Sequence, residues 1–267
     1  MEVQFAPNGF GKRLKSMMKV DFRRMFTMPL LYIMAGVCLV MPILILVMTT
    51  VMDGSVSVDP QTGVETVIEG FDNTWQIIGT VSTESAGMSM DMIGMCNINL
   101  LYFLVAVLVC VFTADDFRSG YAKNLFTVRA KKGDYVISRT AVCLAGGGIM
   151  LLAFLVGTVL GGAISGLPFD TGAAGVSGIV LCMLSKMFLI GVFVPIYLLW
   201  SVVGKQKLWV SLVGSFCVGM LLFMMIPMLT PLDSTVMNAV LCLAGGLLFS
   251  VGLGAVSSKV LGSTSLV

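Results

Sequence analysis

The chain has 267 residues, of which 57% are hydrophobic and only 11% are charged, and its formal net charge is +2. With a mean hydropathy of +1.00, it has too little polar surface to cover a soluble globule of this length. The composition therefore excludes a soluble globular protein and predicts a membrane protein. The absence of histidine also excludes His-based acid–base chemistry, Ser–His dyads and histidine metal sites.

The first predicted element is an amphipathic helix over residues 10–26. Apolar side chains recur there at helical intervals, and basic residues fill the other positions. These basic residues are Lys12, Arg13, Lys15, Lys19, Arg23 and Arg24. The pattern is typical of an interfacial helix on an anionic inner leaflet. The same residues would also suit a plain positive flank for the first span, but the apolar spacing persists over four turns and favours the surface helix.

Six apolar segments follow, each compatible with crossing a hydrocarbon core of about 30 Å. They cover residues 30–52, 92–114, 140–164, 176–203, 208–226 and 236–258. Basic residues place the central loop, the turn at Lys205 and Lys207, and the segment after Lys259 inside the cell. The loop 53–91 holds acids but no Lys or Arg and is expected outside. We expect one all-α polytopic domain over residues 1–267, in the plasma membrane with both termini cytoplasmic.

The outer loop 53–91 contains two local patterns. Residues 56–58 and 64–68 predict a small hairpin around a Pro–Gly turn at 59–63. Phe71, Trp75 and Ile78 then predict a short helix at the outer membrane interface. The acids of this loop could form a vestibule for a cationic substrate, although an ordinary solvated loop is the simpler interpretation.

Small residues four apart mark the third span, as Gly157xxxGly161 and Gly162xxxGly166. Such pairs let two helices approach closely in lipid. The close approach could occur between subunits, but packing within one bundle is the interpretation that we favour.

Lys186 interrupts the fourth span. Counting back from Lys205, about 20 residues cover about 30 Å, which places Lys186 near the outer boundary. Its amine is expected to snorkel outward or to pair with an acid of the outer loop such as Asp91. The alternative is a charge inside a transport cavity, which would make Lys186 part of a substrate path.

The central loop 115–139 is the longest polar interruption on the predicted cytoplasmic side. Its positive charges are Arg118, Lys123, Arg129, Lys131, Lys132 and Arg139. Within it, Ala122, Leu125 and Phe126 fall at roughly helical spacing, which predicts a short helix with one apolar face parallel to the membrane. Such a helix is a docking surface for a cytoplasmic component.

Together, the basic N-terminal helix, six spans and this loop resemble the permease subunits of bacterial type-2 ABC exporters. Asp115, Asp116, Arg118 and Gly120 are similar to the acid-rich start of the family's loop, and residues 123–126 to its next helix. The resemblance implies a coupling helix that docks on a cytoplasmic ATPase. The implied docking residues are Gly120, Lys123, Asn124, Leu125, Phe126 and Arg129. The short outer connection before the last span departs from relatives that carry re-entrant helices there.

The resemblance also implies partners and an activity. ATP would be bound and hydrolysed by a separate ABC ATPase dimer, so no catalytic, cofactor or metal residue is expected in this chain, which also lacks a GxxxxGK phosphate loop. A second permease chain, identical or related, would complete a path for a hydrophobic compound or antimicrobial peptide. No nucleic-acid partner is expected. Two alternatives remain open: a scaffold or sensor that recruits a cytoplasmic protein without transport, and a loop that only binds anionic lipid.

Overall fold

A computed structural model describes residues 9–58, 65–67, 70–79, 96–127, 131–171, 175–204, 207–223, 230–232 and 234–263. The helices are α1 (Phe10–Thr27), α2 (Pro29–Met52), α3 (Leu101–Arg118), α4 (Tyr121–Thr127), α5 (Lys132–Ser165), α6 (Gly175–Gly204), α7 (Leu208–Phe223) and α8 (Val236–Ser263). Short 3-10 turns lie at Thr74–Ile77 and Ile98–Leu100, and two strands, β1 (Val56–Val58) and β2 (Glu65–Val67), form one small sheet.

In the described part of the chain, five helical segments are long and apolar enough to cross a membrane, which indicates a membrane protein with an all-α body. They are Pro29–Met52, Ile98–Arg118, Lys132–Ser165, Gly175–Gly204 and Val236–Gly262. Helix α7, in the predicted fifth span, has 16 residues and is shorter than these five. Residues 224–226 of that predicted span lie outside the described residues.

The helices define two ends of the bundle. At the basic end, Arg13 of α1 lies 3.2 Å from Asp134 near the start of α5, and Lys132 donates a 2.5 Å hydrogen bond to the carbonyl of Leu261 near the end of α8. The first helix and the end of the last helix therefore both lie at this end, against the start of α5. At the opposite, hairpin end, the last turns of α5 lie against the 3-10 turn at Thr74–Ile77.

Helix α7 packs beside α3. Cys110 Sγ lies 3.3 Å from Ser215 Oγ, and a Cβ added at Gly219 would lie 3.3 Å from the Phe103 ring. The earlier residue of α3, Phe103, lies beside the later residue of α7, Gly219, so the two helices are antiparallel. Helix α7 therefore carries the chain back toward the hairpin end.

Helices α2 and α5 approach closely through the predicted glycine pair. A Cβ at Gly157 would lie 2.1 Å from the carbonyl oxygen of Leu39, and one at Gly161 would lie 2.9 Å from the Cα of Ile43. Only hydrogen fits at these two positions, which confirms close packing within the bundle. In the second glycine motif, Gly162 lies against Thr74 of the 3-10 turn, and Gly166 ends α5 with φ at +69°.

The hairpin end contains the predicted local elements. Strands β1 and β2 are antiparallel, with Val56 opposite Val67, and this confirms the predicted strands. The turn at 59–63 lies outside the described residues. The predicted short helix is the 3-10 turn Thr74–Ile77, whose first N–H groups are capped by Asn73.

The predicted limits of the central loop are wrong. Helix α3 continues to Arg118 and α5 already begins at Lys132, so the predicted loop 115–139 contracts to residues 119–131 around α4. Asp115 and Asp116 lie in the last turn of α3, and Arg139 lies inside α5. A prediction from apolar character alone ends the second span too early and begins the third span too late, because the charged residues at these helix ends form ion pairs. Helix α1 covers the residues 10–26 for which the sequence predicts a helix.

Candidate functional site

Helix α4 is the short connection between α3 and α5 at the basic end. It begins after Gly120, whose φ of +73° is a conformation that glycine adopts without strain. Ala122 is fully buried, whereas Lys123, Asn124 and Thr127 are exposed. The helix therefore has one face against the bundle and one polar, positively charged face directed outward.

Leu125 and Phe126 belong largely to the inner face of α4. Both are half-buried against the core, and the Phe126 ring lies edge-on to Tyr135 of α5 with centroids 5.4 Å apart. Their packing within the chain leaves Lys123 and Asn124 as the more accessible members of the predicted docking set. Arg129, the last member, lies outside the described residues, and Arg118 is exposed at the end of α3.

Beneath α4 lies an ion-pair cluster formed by Asp21, Arg24, Asp115, Asp116 and Arg139. Asp116 is at its centre: its two carboxylate oxygens lie 2.6 Å from Arg24 Nη1 and 2.5 Å from Arg139 Nη2. Arg24 reaches Asp115 at 3.1 Å as well. The cluster joins α1, α3 and α5, which are the helices that surround α4.

Arg139 is the most deeply placed charge of the cluster. Its side chain has no exposed surface, and its guanidinium carbon lies 4.2 Å from the centroid of the Phe112 ring. The sequence interpretation counted Arg139 among the loop charges, and the structure places it in the interior. A guanidinium removed from water needs ionic partners, which Asp116 and Asp21 supply.

Asp21 connects α1 to both neighbouring elements. Its carboxylate accepts hydrogen bonds from Ser138 Oγ of α5 at 2.5 Å and from the Tyr121 hydroxyl of α4 at 3.2 Å. Burial and the nearby Asp21 carboxylate raise the pKa of Tyr121, so the phenol remains a donor near neutral pH. Sequence reasoning missed Asp21. Its signal was available, because it is the single acid among the six basic residues of α1.

The cluster holds α4 in a defined position relative to three helices. It contains no arrangement of nucleophile and base, and its acids are already occupied by arginines. Within the described parts of the chain, no group of three or more Cys, Asp or Glu side chains is placed to hold a metal ion. The arrangement is suited to transmitting a mechanical displacement between helices.

Lys186 lies apart from this cluster, in the N-terminal half of α6. It is fully buried, and its Nζ donates a 2.9 Å hydrogen bond to Oδ1 of Asn99, just before α3. The expectation that the amine snorkels outward is wrong, because neighbouring helices enclose it. Asp91, the acid suggested as a partner, lies outside the described residues.

Comparison with protein-family models, with curated proteins and with solved structures finds no match for this chain.

Proposed function

We propose that this chain is the membrane-spanning permease subunit of an ATP-driven exporter of the type-2 ABC kind. It would move a hydrophobic or peptide-like substrate, with ATP bound and hydrolysed by a separate cytoplasmic ATPase dimer. The observation that carries the proposal is the exposed face of α4 around Lys123. This seven-residue helix lies between two apolar helices and is joined to the buried ion-pair cluster by the hydrogen bond from Tyr121 to Asp21.

The connections of α4 support this mechanical role. It follows α3 and precedes α5, and Tyr121 ties it to α1 through Asp21. A force applied to α4 would therefore move three helices together. ATP-driven closure of a partner is a source of such a force, and the movement of α3 and α5 would alternate access to a central path.

The topology proposed here has six crossings, with the basic end in the cytoplasm. Because α1 and the end of α8 lie at the same end of the bundle, the chain needs an even number of crossings. Helix α7 runs antiparallel to α3 and would add one crossing to those of the five longer helices. The Lys and Arg residues of α1 and α4 favour the cytoplasmic side for this end.

Exposed apolar surface favours lipid and a second permease chain as further partners. Helices α7 and α8 carry much of it, including Trp209, Val213, Leu221, Leu247, Leu248 and Val251. Lipid accounts for much of such a surface, and a second copy or a related chain would cover part of it. Two chains would form the transport path between them.

Co-purification with native partners tests the proposal. The expected result is that the wild-type chain retains a protein with an ATP-binding P-loop, and that Lys123→Glu with Asn124→Asp lowers its recovery at least ten-fold. Both residues are exposed, so membrane insertion should not change. Lys259→Glu, an exposed substitution near the same end on α8, is the matched control.

Two results would contradict the proposal. One is wild-type recovery of the ATPase by the α4 variant. The other is capture of a partner that lacks a P-loop, which would favour a scaffold or sensor that recruits a cytoplasmic protein through the same face.

A further inference from the structure

A buried polar pair lies between α3 and α6, away from the proposed docking site. Lys186 of α6 and Asn99 of the 3-10 turn before α3 both have no exposed surface. The Lys186 amine donates to Asn99 Oδ1 at 2.9 Å. The pair lies toward the hairpin end, since Cys182 Sγ, one helical turn before Lys186, lies 3.9 Å from the carbonyl oxygen of Ile78.

Donors exceed acceptors at this pair. A lysine ammonium carries three N–H donors and no acceptor, and Asn99 accepts one of them. Asn99 Nδ2 has no hydrogen-bond partner among the described residues. No carboxylate among the residues that the structure describes forms an ion pair with Lys186. The pair therefore offers a positive charge and unused N–H groups in a site closed to water.

A carboxylate fits these properties better than other common groups. An ammonium buried without a negative partner is costly, as is an amide donor without an acceptor. A carboxylate has two oxygens and one negative charge, so it can accept from both Lys186 and Asn99. A neutral carbonyl would leave the charge uncompensated, and a phosphate at neutral pH carries more charge than one lysine balances.

The surroundings of the pair are apolar. Tyr102 stacks on Phe193 with ring centroids 4.5 Å apart, and Ile77 and Ile78 are fully buried at the same end of the bundle. A ligand whose remaining part is apolar would match these neighbours, with the carboxylate as its one polar anchor.

We propose that Lys186 and Asn99 form a binding site for the carboxylate of an apolar molecule carried by this chain. The inference depends on the transport function proposed above and names the class of its substrate. Asn99 precedes α3 and Lys186 lies on α6, so the site spans two helices. Separation of α3 from α6 would admit the ligand, and α3 is the helix that leads directly into α4.

The test uses the purified full chain in detergent without ATPase or ATP. The probes are decanoate and N-acetyl-trileucine, each paired with its amide, so that a fatty-acid-like source and a peptide-like source are distinguished. At least one acid should bind ten-fold or more tightly than its amide. Lys186→Met should weaken acid binding at least ten-fold and leave amide binding unchanged. Partition of the acid into detergent micelles contributes equally with both proteins, so the difference between the wild type and Lys186→Met measures binding that depends on Lys186.

A second variant and a control keep the test independent of folding defects. Asn99→Leu retains the lysine and should weaken acid binding several-fold. Lys207→Met removes an exposed lysine at the start of α7 and should change nothing. The thermal unfolding temperature of Lys186→Met should equal or exceed that of the wild type, because the substitution removes a buried charge without leaving an unpaired acid.

Three results would overturn the proposal: equal binding of acids and amides, no binding of either acid, or unchanged acid binding in Lys186→Met. Stronger acid binding in Glu84→Gln or Asp91→Asn would also overturn it, since a carboxylate of the chain itself would then occupy Lys186 in the wild type. These results leave the ATPase partnership untouched. Failure of α4 to retain an ATPase, conversely, would leave a Lys186-dependent binding result intact.

Discussion

At the residue scale, Asp116 has the greatest influence on the basic end of the bundle. It has no exposed surface and contacts two arginines, and it also accepts a 2.8 Å hydrogen bond from the Tyr135 hydroxyl. Asp115, one position earlier, has a half-exposed side chain and a single ionic contact. The two neighbouring acids should therefore differ greatly in their contribution to stability.

Replacement of each acid by leucine measures this difference. Asp116→Leu should lower the free energy of unfolding by about 3–5 kcal/mol, because it leaves the buried Arg139 without its nearest partner. Asp115→Leu should change it by about 0–1 kcal/mol, as expected for an exposed ion pair. Reversible unfolding in mixed micelles gives both values, and equal effects would contradict the central position of Asp116.

Single charges also mark the limit of what the sequence predicted. Lys123 and Asn124 were expected in the docking helix and are exposed there, since their placement depends only on local helical spacing. Arg139 and Lys186 were expected at the surface, and both are fully buried. Their positions depend on partners in other elements, Asp116 and Asp21 for Arg139 and Asn99 for Lys186, and no local pattern identifies such partners.

At the element scale, the apolar segments predicted the helices well and their ends less well. The α2 prediction of 30–52 differs by one residue from the observed Pro29–Met52. The start of α5 was placed eight residues too late, because residues 132–139 include charges that are paired inside the structure. Helix ends were thus least predictable where ion pairs extend a helix beyond its apolar run.

Glycine substitution tests the contact between α2 and α5. Gly157→Ala should lower the free energy of unfolding by about 1–3 kcal/mol, because its Cβ would meet the carbonyl oxygen of Leu39. Gly252→Ala on α8 is the control, since nothing lies within 4 Å of its Cβ. The control should leave stability unchanged or raise it by up to about 1 kcal/mol. Destabilisation of the same size in both variants would argue against the close contact.

At the scale of the whole molecule, α1 and the end of α8 both lie at the basic end of the bundle. The six-crossing topology that we propose requires α7 to cross the membrane, and its 16 residues cover about 24 Å. Local thinning of the membrane would accommodate a helix of this length.

Reporter fusions test this topology. Alkaline phosphatase fused after Ser263 should be inactive, and green fluorescent protein at the same position should be fluorescent, as expected for a cytoplasmic C-terminus. A phosphatase fused after Gly79, at the hairpin end, should be active. An active phosphatase after Ser263 would instead support five crossings.

We propose that the exposed face of α4 receives force from a cytoplasmic ATPase. Photo-crosslinking tests this contact, with benzoylphenylalanine replacing Lys123 in cells and the same replacement of Lys259 as the control. We expect an adduct between residue 123 and a P-loop ATPase, formed in yields that change when ATP is trapped, and none from residue 259. Adducts with lipid alone, or with a protein that has no P-loop, would argue against the proposal.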